Sequence, residues 1–290
     1  MKYVTALVFR QLHELYSRDE IRSFIQMLLE DVYGLSLVDQ ILGKDKQISD
    51  IERKQIIEIV ERLKKMEPIQ YAFGETWFYS IRLKVNQSVM IPRHETETLV
   101  YLVDYYSRKK SRTKLKTLRI LDLCTGSGCI AVALSKNIPN SLVDAVDNSE
   151  SALEVARENF KRHHIEAVTK KIDILDTKKA MEEITGGYDI IVSNPPYVLE
   201  SEKASMSANV LDYEPHQALF VPDNNPILFY EAIAEIALKK LKRNGRIFVE
   251  INPLCSHLIL DMLREKGFIY PKAIHDLSGK DRFITARKNG

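Results

Sequence analysis

An α/β fold is predicted for this chain of 290 residues: a seven-stranded, mostly parallel sheet with helices on both faces, preceded by a small helical bundle. Three features predict it. The first 70 residues carry helical periodicity and no alternating segment. From about residue 118, short apolar runs alternate with helical stretches, the pattern of a parallel sheet. The last two runs are separated only by Ser278-Gly279-Lys280-Asp281, too short for a crossover, so they form an antiparallel hairpin.

The elements are justified in chain order. Ser17 to Glu20 is a capping box, and Ile21, Phe24, Ile25, Leu28, Leu29 and Val32 then repeat as one helical face until Gly34. A shorter helix fits 36–42. A second box, Ser49 to Glu52, opens a helix that Pro68 terminates. Residues 71–90 are rich in alternating aromatic and β-branched side chains and read as a β-hairpin connector. A helix starts near Glu95, and the basic stretch 109–119 reads as a solvated linker. Strands are expected at 119–124, 141–147, 168–173, 188–194, 246–251, 268–277 and 282–288. Helices are expected at about 130–137, 150–163, 225–242 and 256–266. The expected division is a helical domain at 1–70, the connector at 71–90 and an α/β domain at 91–290.

Composition narrows the function. With 42 basic and 40 acidic residues the formal charge is +2, a balance that argues against a dedicated nucleic-acid binder. Three cysteines without paired spacing offer no metal motif and fit a reduced compartment. No apolar run approaches bilayer length, and the N-terminus has no signal-like block, so a cytoplasmic location is expected.

The chemistry gathers where strands end. Cys124-Thr125-Gly126-Ser127-Gly128 joins a strand to a helix, and glycines there permit a tight turn and a close approach to a ligand. Asp147 ends the next strand about 20 residues on, where an acid can hold ribose hydroxyls. Nicotinamide cofactors and S-adenosylmethionine both satisfy this pattern, since both contain adenosine. Asp173 ends the third strand beside Ile174. An acid there can accept from an adenine amino group while the apolar neighbour covers the ring; a helix-capping Asp is the simpler alternative.

The fourth strand, Asp189-Ile190-Ile191-Val192, ends in Ser193-Asn194-Pro195-Pro196-Tyr197. Two prolines stiffen the chain and donate no hydrogen bond. The Asn194 side-chain oxygen and the Pro195 carbonyl are then two acceptors on a rigid frame. They suit the two protons of a planar –NH2 group, an amide or an exocyclic amine, and favour positive charge growing on its nitrogen. Tyr197 can lie against the planar group. The segment makes sense as a clamp for a conjugated amine that receives a methyl group.

Together, Asp122–Gly128, Ala145–Ser149, Ser193–Val198 and Tyr213–Leu219 resemble the Rossmann-like class I S-adenosylmethionine-dependent methyltransferases. Within these the chain is most similar to the peptide chain release factor N5-glutamine methyltransferases, over nearly its whole length. Asn-Pro-Pro-Tyr alone is shared with adenine methyltransferases. The stretch from Val210 to Ile233 separates the release factor group from enzymes that act on a ribosomal protein. The resemblance implies S-adenosylmethionine along Cys124–Gly128, with Asp147 on the ribose, Asp173 and Ile174 at the adenine, and Asn194 near the methyl group. It also implies that Asn194, Pro195, Pro196 and Tyr197 take the glutamine of a release factor's Gly-Gly-Gln loop. No metal and no membrane partner are expected. Two positions depart from the family's usual pattern: Cys124 stands where glycine is frequent, and His94 where Ile-Pro-Arg-Pro-Glu-Thr-Glu has its second proline. The amide proton can leave after transfer, so no base is required at His94.

Overall fold

The computed structural model describes residues 1–44, 46–110 and 117–290. Most of the basic linker expected at 109–119 therefore lies outside the described residues. The chain divides into two compact units, Met1–Gly74 and Glu75–Gly290.

The first unit is helical: α1 (Lys2–Leu12), α2 (Arg18–Met27), α3 (Leu37–Ile41), α4 (Asp50–Leu63) and α5 (Ile69–Phe73). Both expected capping boxes form. Ser17 N–H donates to Glu20 Oε2 at 2.8 Å while Glu20 N–H donates to Ser17 Oγ at 3.3 Å. Ser49 and Glu52 repeat the exchange at 2.8 and 3.2 Å. Each exchange satisfies two amide donors that a helix start leaves without partners. The stripe read from α2 is buried at Ile21, Phe24, Leu28 and Leu29, where it meets Val8 and Leu12 of α1 and Ile56 and Val60 of α4. Past Met27 this helix widens into a π-helical turn, Leu28–Val32, before Gly34 ends it at φ +68°. Residues 69–73, most of which were expected to open the hairpin, form α5 instead; the left-handed Gly74 at φ +74° then turns the chain.

The second unit starts with that hairpin, β1 (Glu75–Phe78) paired antiparallel with β2 (Ile81–Lys84), and continues through α6 (His94–Lys110). The alternating part runs as β3 (Leu118–Leu123), α7 (Cys129–Asn137), β4 (Ser141–Asp147), α8 (Glu150–Arg162), β5 (Val168–Lys171), α9 (Thr177–Glu183) and β6 (Tyr188–Ser193). A small two-stranded sheet pairs β7 (Val198–Leu199) with β8 (Phe220–Val221) across α10 (Ala208–Tyr213). Then come α11 (Leu228–Lys240), β9 (Leu241–Glu250), α12 (Ser256–Glu265), β10 (Phe268–His275) and β11 (Asp281–Lys288).

Seven strands form the main sheet in the order β10-β11-β9-β6-β3-β4-β5. Neighbours from β9 to β5 are parallel, and β11 runs antiparallel to both β9 and β10. The expected C-terminal hairpin is present, but its second strand inserts between β10 and β9. Pro271 sits at an irregularity of β10, which is an edge strand and tolerates the missing donor. β9 begins at Leu241, earlier than expected, because a left-handed Asn244 and a register shift opposite β6 absorb Asn244-Gly245 into the strand.

The apolar run of β6 is buried on both faces, as a central parallel strand should be. Ile190 and Val192 point to a core built with α6, α7 and α8, and Ile191 points to one built with α9, α11 and α12. Complete burial of each side chain stabilises by roughly 1.5–3 kcal/mol. Chain order places β4 and β5 on one side of β3 and β6 and β9 on the other. The sheet therefore changes direction between β3 and β6, and a crevice opens outside their carboxyl ends.

Candidate active site

A cavity enclosing about 940 Å3 of non-atom space, part of it open to solvent, lies at that carboxyl edge. Cys124, Thr125, Gly126, Ser127, Asp147, Asp173, Ile174, Asn194 and Pro196 line it together. Gly128, Pro195 and Tyr197, the other three residues singled out from the sequence, lie outside its lining.

The turn after β3 needs three left-handed residues: Cys124 at φ +58°, Gly126 at +53° and Gly128 at +78°. The two glycines differ in surroundings. A Cβ on Gly128 would stand 3.1 Å from two ring carbons of Phe160 and 3.2 Å from Cβ of Ala156, so glycine there lets α7 approach α8. A Cβ on Gly126 would meet no atom within 4 Å. It would instead occupy space at the cavity wall. Buried Asn159 braces the loop from behind: its amide donates to Ser127 O at 2.9 Å and Lys84 O at 3.0 Å, and its oxygen accepts from Lys84 N–H at 2.7 Å.

Asp147 sits against this turn. Its Oδ2 accepts from Gly126 N–H at 2.9 Å and its Oδ1 from Ser149 N–H at 3.0 Å. Burial raises its pKa, and the neighbouring backbone amides oppose the rise. Each oxygen retains a lone pair, so the carboxylate can accept two further donors, such as a vicinal diol. Asp122 lies deeper, accepts from Thr125 Oγ1 at 2.7 Å, and is pushed up to about 7 by burial. β5 ends at Lys171, two residues short of Asp173. Asp173 Oδ1 accepts from Leu175 N–H at 2.9 Å, and Ile174 beside it is buried. Burial pushes the Cys124 thiol well above its ordinary value, which leaves a neutral small side chain rather than a nucleophile.

Asn194 comes directly after β6. Its Nδ2 donates to Thr96 Oγ1 at 3.1 Å, Thr96 Oγ1 donates to Glu250 Oε2 at 2.7 Å, and Tyr197 Oη donates to Glu250 Oε1 at 2.9 Å. Thr96 and Glu250 are buried, and neither is conspicuous in the sequence. The Tyr197 phenol is pushed up by burial and by Glu250, so it stays a neutral donor. The far wall comes from Val89, Met90 and Pro92 and from Pro215, Gln217 and Ala218. Buried Glu214 joins these two segments by accepting from Ile91 N–H at 3.1 Å and Arg93 Nη2 at 2.6 Å. His94 points away: its side chain is 92% exposed, with Nδ1 3.6 Å from Glu97. As the first residue of α6 it occupies a position where proline is favoured but its missing N–H is not needed, so histidine substitutes without breaking the helix. Among the described residues, no group of three or more His, Cys, Asp or Glu is arranged to hold a metal ion, and no helix is long and apolar enough to cross a membrane.

Residues 109–217 match the methyltransferase small domain, and residues 7–74 match the PrmC N-terminal domain. The release factor glutamine methyltransferase of Flavobacterium psychrophilum is 40% identical over 273 residues, 94% of each chain. That of Bacteroides thetaiotaomicron is 38% identical over 289 residues, 99% of this chain and 100% of its own. In three dimensions, the 16S rRNA N2 G1207 methyltransferase of Thermus thermophilus aligns with a TM-score of 0.52 at 16% identity, over 74% of this chain and 50% of that one. The human METTL16 catalytic domain aligns with a TM-score of 0.53 at 13% identity, over 84% of each. These two likenesses establish the methyltransferase fold. The near-complete sequence matches go further: the chain belongs to the release factor glutamine methyltransferase family.

Proposed function

We propose that this protein transfers a methyl group from S-adenosylmethionine to the side-chain amide nitrogen of the glutamine in the Gly-Gly-Gln loop of peptide chain release factors, in the cytoplasm. The observation that carries the reading is the acceptor left by Asn194. Its amide nitrogen is engaged by Thr96, and its oxygen belongs to a side chain that lines the cavity.

The residues present fit the cofactor. The Asp147 carboxylate suits a ribose diol, Ile174 offers an apolar surface for adenine with Asp173 as an acceptor beside it, and the missing Cβ of Gly126 keeps the wall open. When bound, S-adenosylmethionine supplies a methyl group activated by an adjacent sulfonium charge.

The protein's own part is orientation and charge stabilisation. A glutamine amide is a weak nucleophile because its nitrogen lone pair is delocalised into the carbonyl. In this reading Asn194 Oδ1 and the Pro195 carbonyl accept its two protons and aim the nitrogen. These bonds strengthen as the nitrogen becomes positive, so they stabilise the transition state more than the ground state. Tyr197 and Pro196 hold the planar group and limit water. The proton in excess after transfer is released to solvent. The helical unit carries no such constellation; its part is to dock the release factor.

The test is methyl transfer from labelled S-adenosylmethionine to three substrates: a purified release factor, the same factor with Gln→Glu in its Gly-Gly-Gln loop, and an oligonucleotide. Label confined to the parent release factor is expected. Label on the oligonucleotide instead makes the clamp one for adenine and overturns the assignment.

A further inference from the structure

Glu250 is a carboxylate that the methyl transfer itself does not use. It closes β9, is 1% exposed, and receives two hydroxyl groups from different parts of the chain. Thr96 comes from the first turn of α6, and Tyr197 from the segment after β6. Burying an acid costs free energy unless it is well paired, so its arrangement calls for a function.

Counting protons gives one. A hydroxyl has a single proton. Thr96 spends its proton on Glu250 Oε2 at 2.7 Å, so the same oxygen meets Asn194 only with lone pairs. The Asn194 group at 3.1 Å must then be the –NH2 end of the amide. This fixes the other end: Oδ1 is the acceptor left over. Were the Thr96 proton free, the amide could rotate by half a turn, give its oxygen to Thr96, and present two N–H protons where a substrate –NH2 needs an acceptor. An oxygen and an –NH2 group are nearly equal in size, so packing alone hardly distinguishes the two orientations. Hydrogen-bond polarity does.

We infer that Glu250 and Thr96 form a positioning relay that holds the Asn194 amide with its oxygen toward the substrate. The inference rests on the glutamine methylation proposed above. Glu250 polarises Thr96, Thr96 selects the face of Asn194, and of these three only Asn194 touches the substrate. The same carboxylate holds the Tyr197 hydroxyl at 2.9 Å and so fixes the two ends of the clamp to one anchor.

The experiment is a double-mutant cycle read by single-turnover methylation of a release factor. Thr96→Val keeps the shape of the side chain and removes the hydroxyl. The rate is expected to fall about 100-fold, near the effect of losing one preorganised partner, with affinity for S-adenosylmethionine unchanged. Thr96→Ser restores the hydroxyl and most of the rate. In an Asn194→Ala background, Thr96→Val should add less than about a threefold loss, because a residue acting only through Asn194 has nothing left to orient. A parent-like rate for Thr96→Val, or an undiminished further loss in the Asn194→Ala background, overturns the relay. A parent enzyme that leaves the release factor unmethylated overturns the functional proposal instead, so the two failures are distinct. A second measurement needs no valine variant. In the 15N-labelled parent, the Asn194 –NH2 signals, assigned by their loss in Asn194→Ala, should exchange with water far more slowly than those of exposed Asn224. Equal exchange rates refute the relay.

Discussion

Replacing either glycine of the turn after β3, where the cofactor is proposed to lie, by alanine should separate stability from binding. Both occupy left-handed backbone, where an alanine costs about 1–2 kcal/mol at φ +53° (Gly126) or +78° (Gly128). At Gly128 the new methyl also stands 3.1 Å from Phe160 and 3.2 Å from Ala156. Phe160 is 4% exposed and packed in the core, so it yields only by shifting α8 against α7. Overpacking of this mild degree adds about 1–2 kcal/mol, for a total of roughly 2–4 kcal/mol. That lowers the melting temperature by about 4–16 °C for a unit of this size. At Gly126 no atom lies within 4 Å of the new methyl, so the strain is the whole stability cost. The methyl instead occupies the wall where the cofactor is proposed to lie. Thermal unfolding should therefore rank Gly128→Ala as the less stable variant, while calorimetry should show the larger loss of S-adenosylmethionine affinity in Gly126→Ala. The reverse order in both measurements would refute this division of labour.

Asp147→Ala removes the proposed ribose acceptor, a charge-assisted interaction worth roughly 1.5–3 kcal/mol, so S-adenosylmethionine affinity should fall about 10- to 150-fold; unchanged calorimetric affinity would exclude Asp147 from the site. Asn194→Ala should slow single-turnover methylation about 100- to 1,000-fold with cofactor binding retained, and a parent-like rate at saturation would rule out the clamp. The rate should also fall on acidification. Burial and nearby Glu95 raise the pKa of Glu250, while Thr96, Tyr197 and Arg282 hold it down, so its ionised, orienting form is lost as pH drops through a value above the usual carboxylate range. Stability runs the other way: a carboxyl raised by folding stabilises the fold below its unfolded pKa, and that contribution is lost as pH rises through the folded value. For Asp122 the window runs from 3.8 to about 7. A pH–rate profile with an acid limb that Glu250→Gln abolishes, measured where the melting temperature is not falling, checks the assignment; a limb that survives in Glu250→Gln belongs to another group.

The sheet was legible because its strands announce themselves twice, by their apolar runs and by the turn residues at their carboxyl ends. Ile190–Val192 is buried on both faces, and the pattern of a central parallel strand requires this. Gly126, Gly128 and Asp147 stand at strand ends, and the parallel topology alone brings those ends to one edge. Less was legible where partners are remote in sequence. The insertion of β11 between β10 and β9 depends on which edge has a free row of hydrogen bonds, and no local pattern records that. The pairing of β7 with β8 rests on two residues from each strand.

Thr96 and Glu250 were illegible for a related reason. Each looks ordinary in its own segment: a threonine in the first turn of a helix, and an acid at the end of a strand. They are 154 residues apart, and their meaning arises only when α6 docks on β9 and closes the path from Glu250 to Asn194. Asn194 was conspicuous because its proposed chemistry is direct: an amide beside two prolines at a strand end, which the fold brings to the cavity wall. A positioning residue acts through a neighbour, so its signature is the direction of a hydrogen bond rather than a residue type. The fold supplies that direction by placing the carboxyl ends of β6 and β9 side by side, where one buried charge can set the polarity of both a hydroxyl and, through it, an amide.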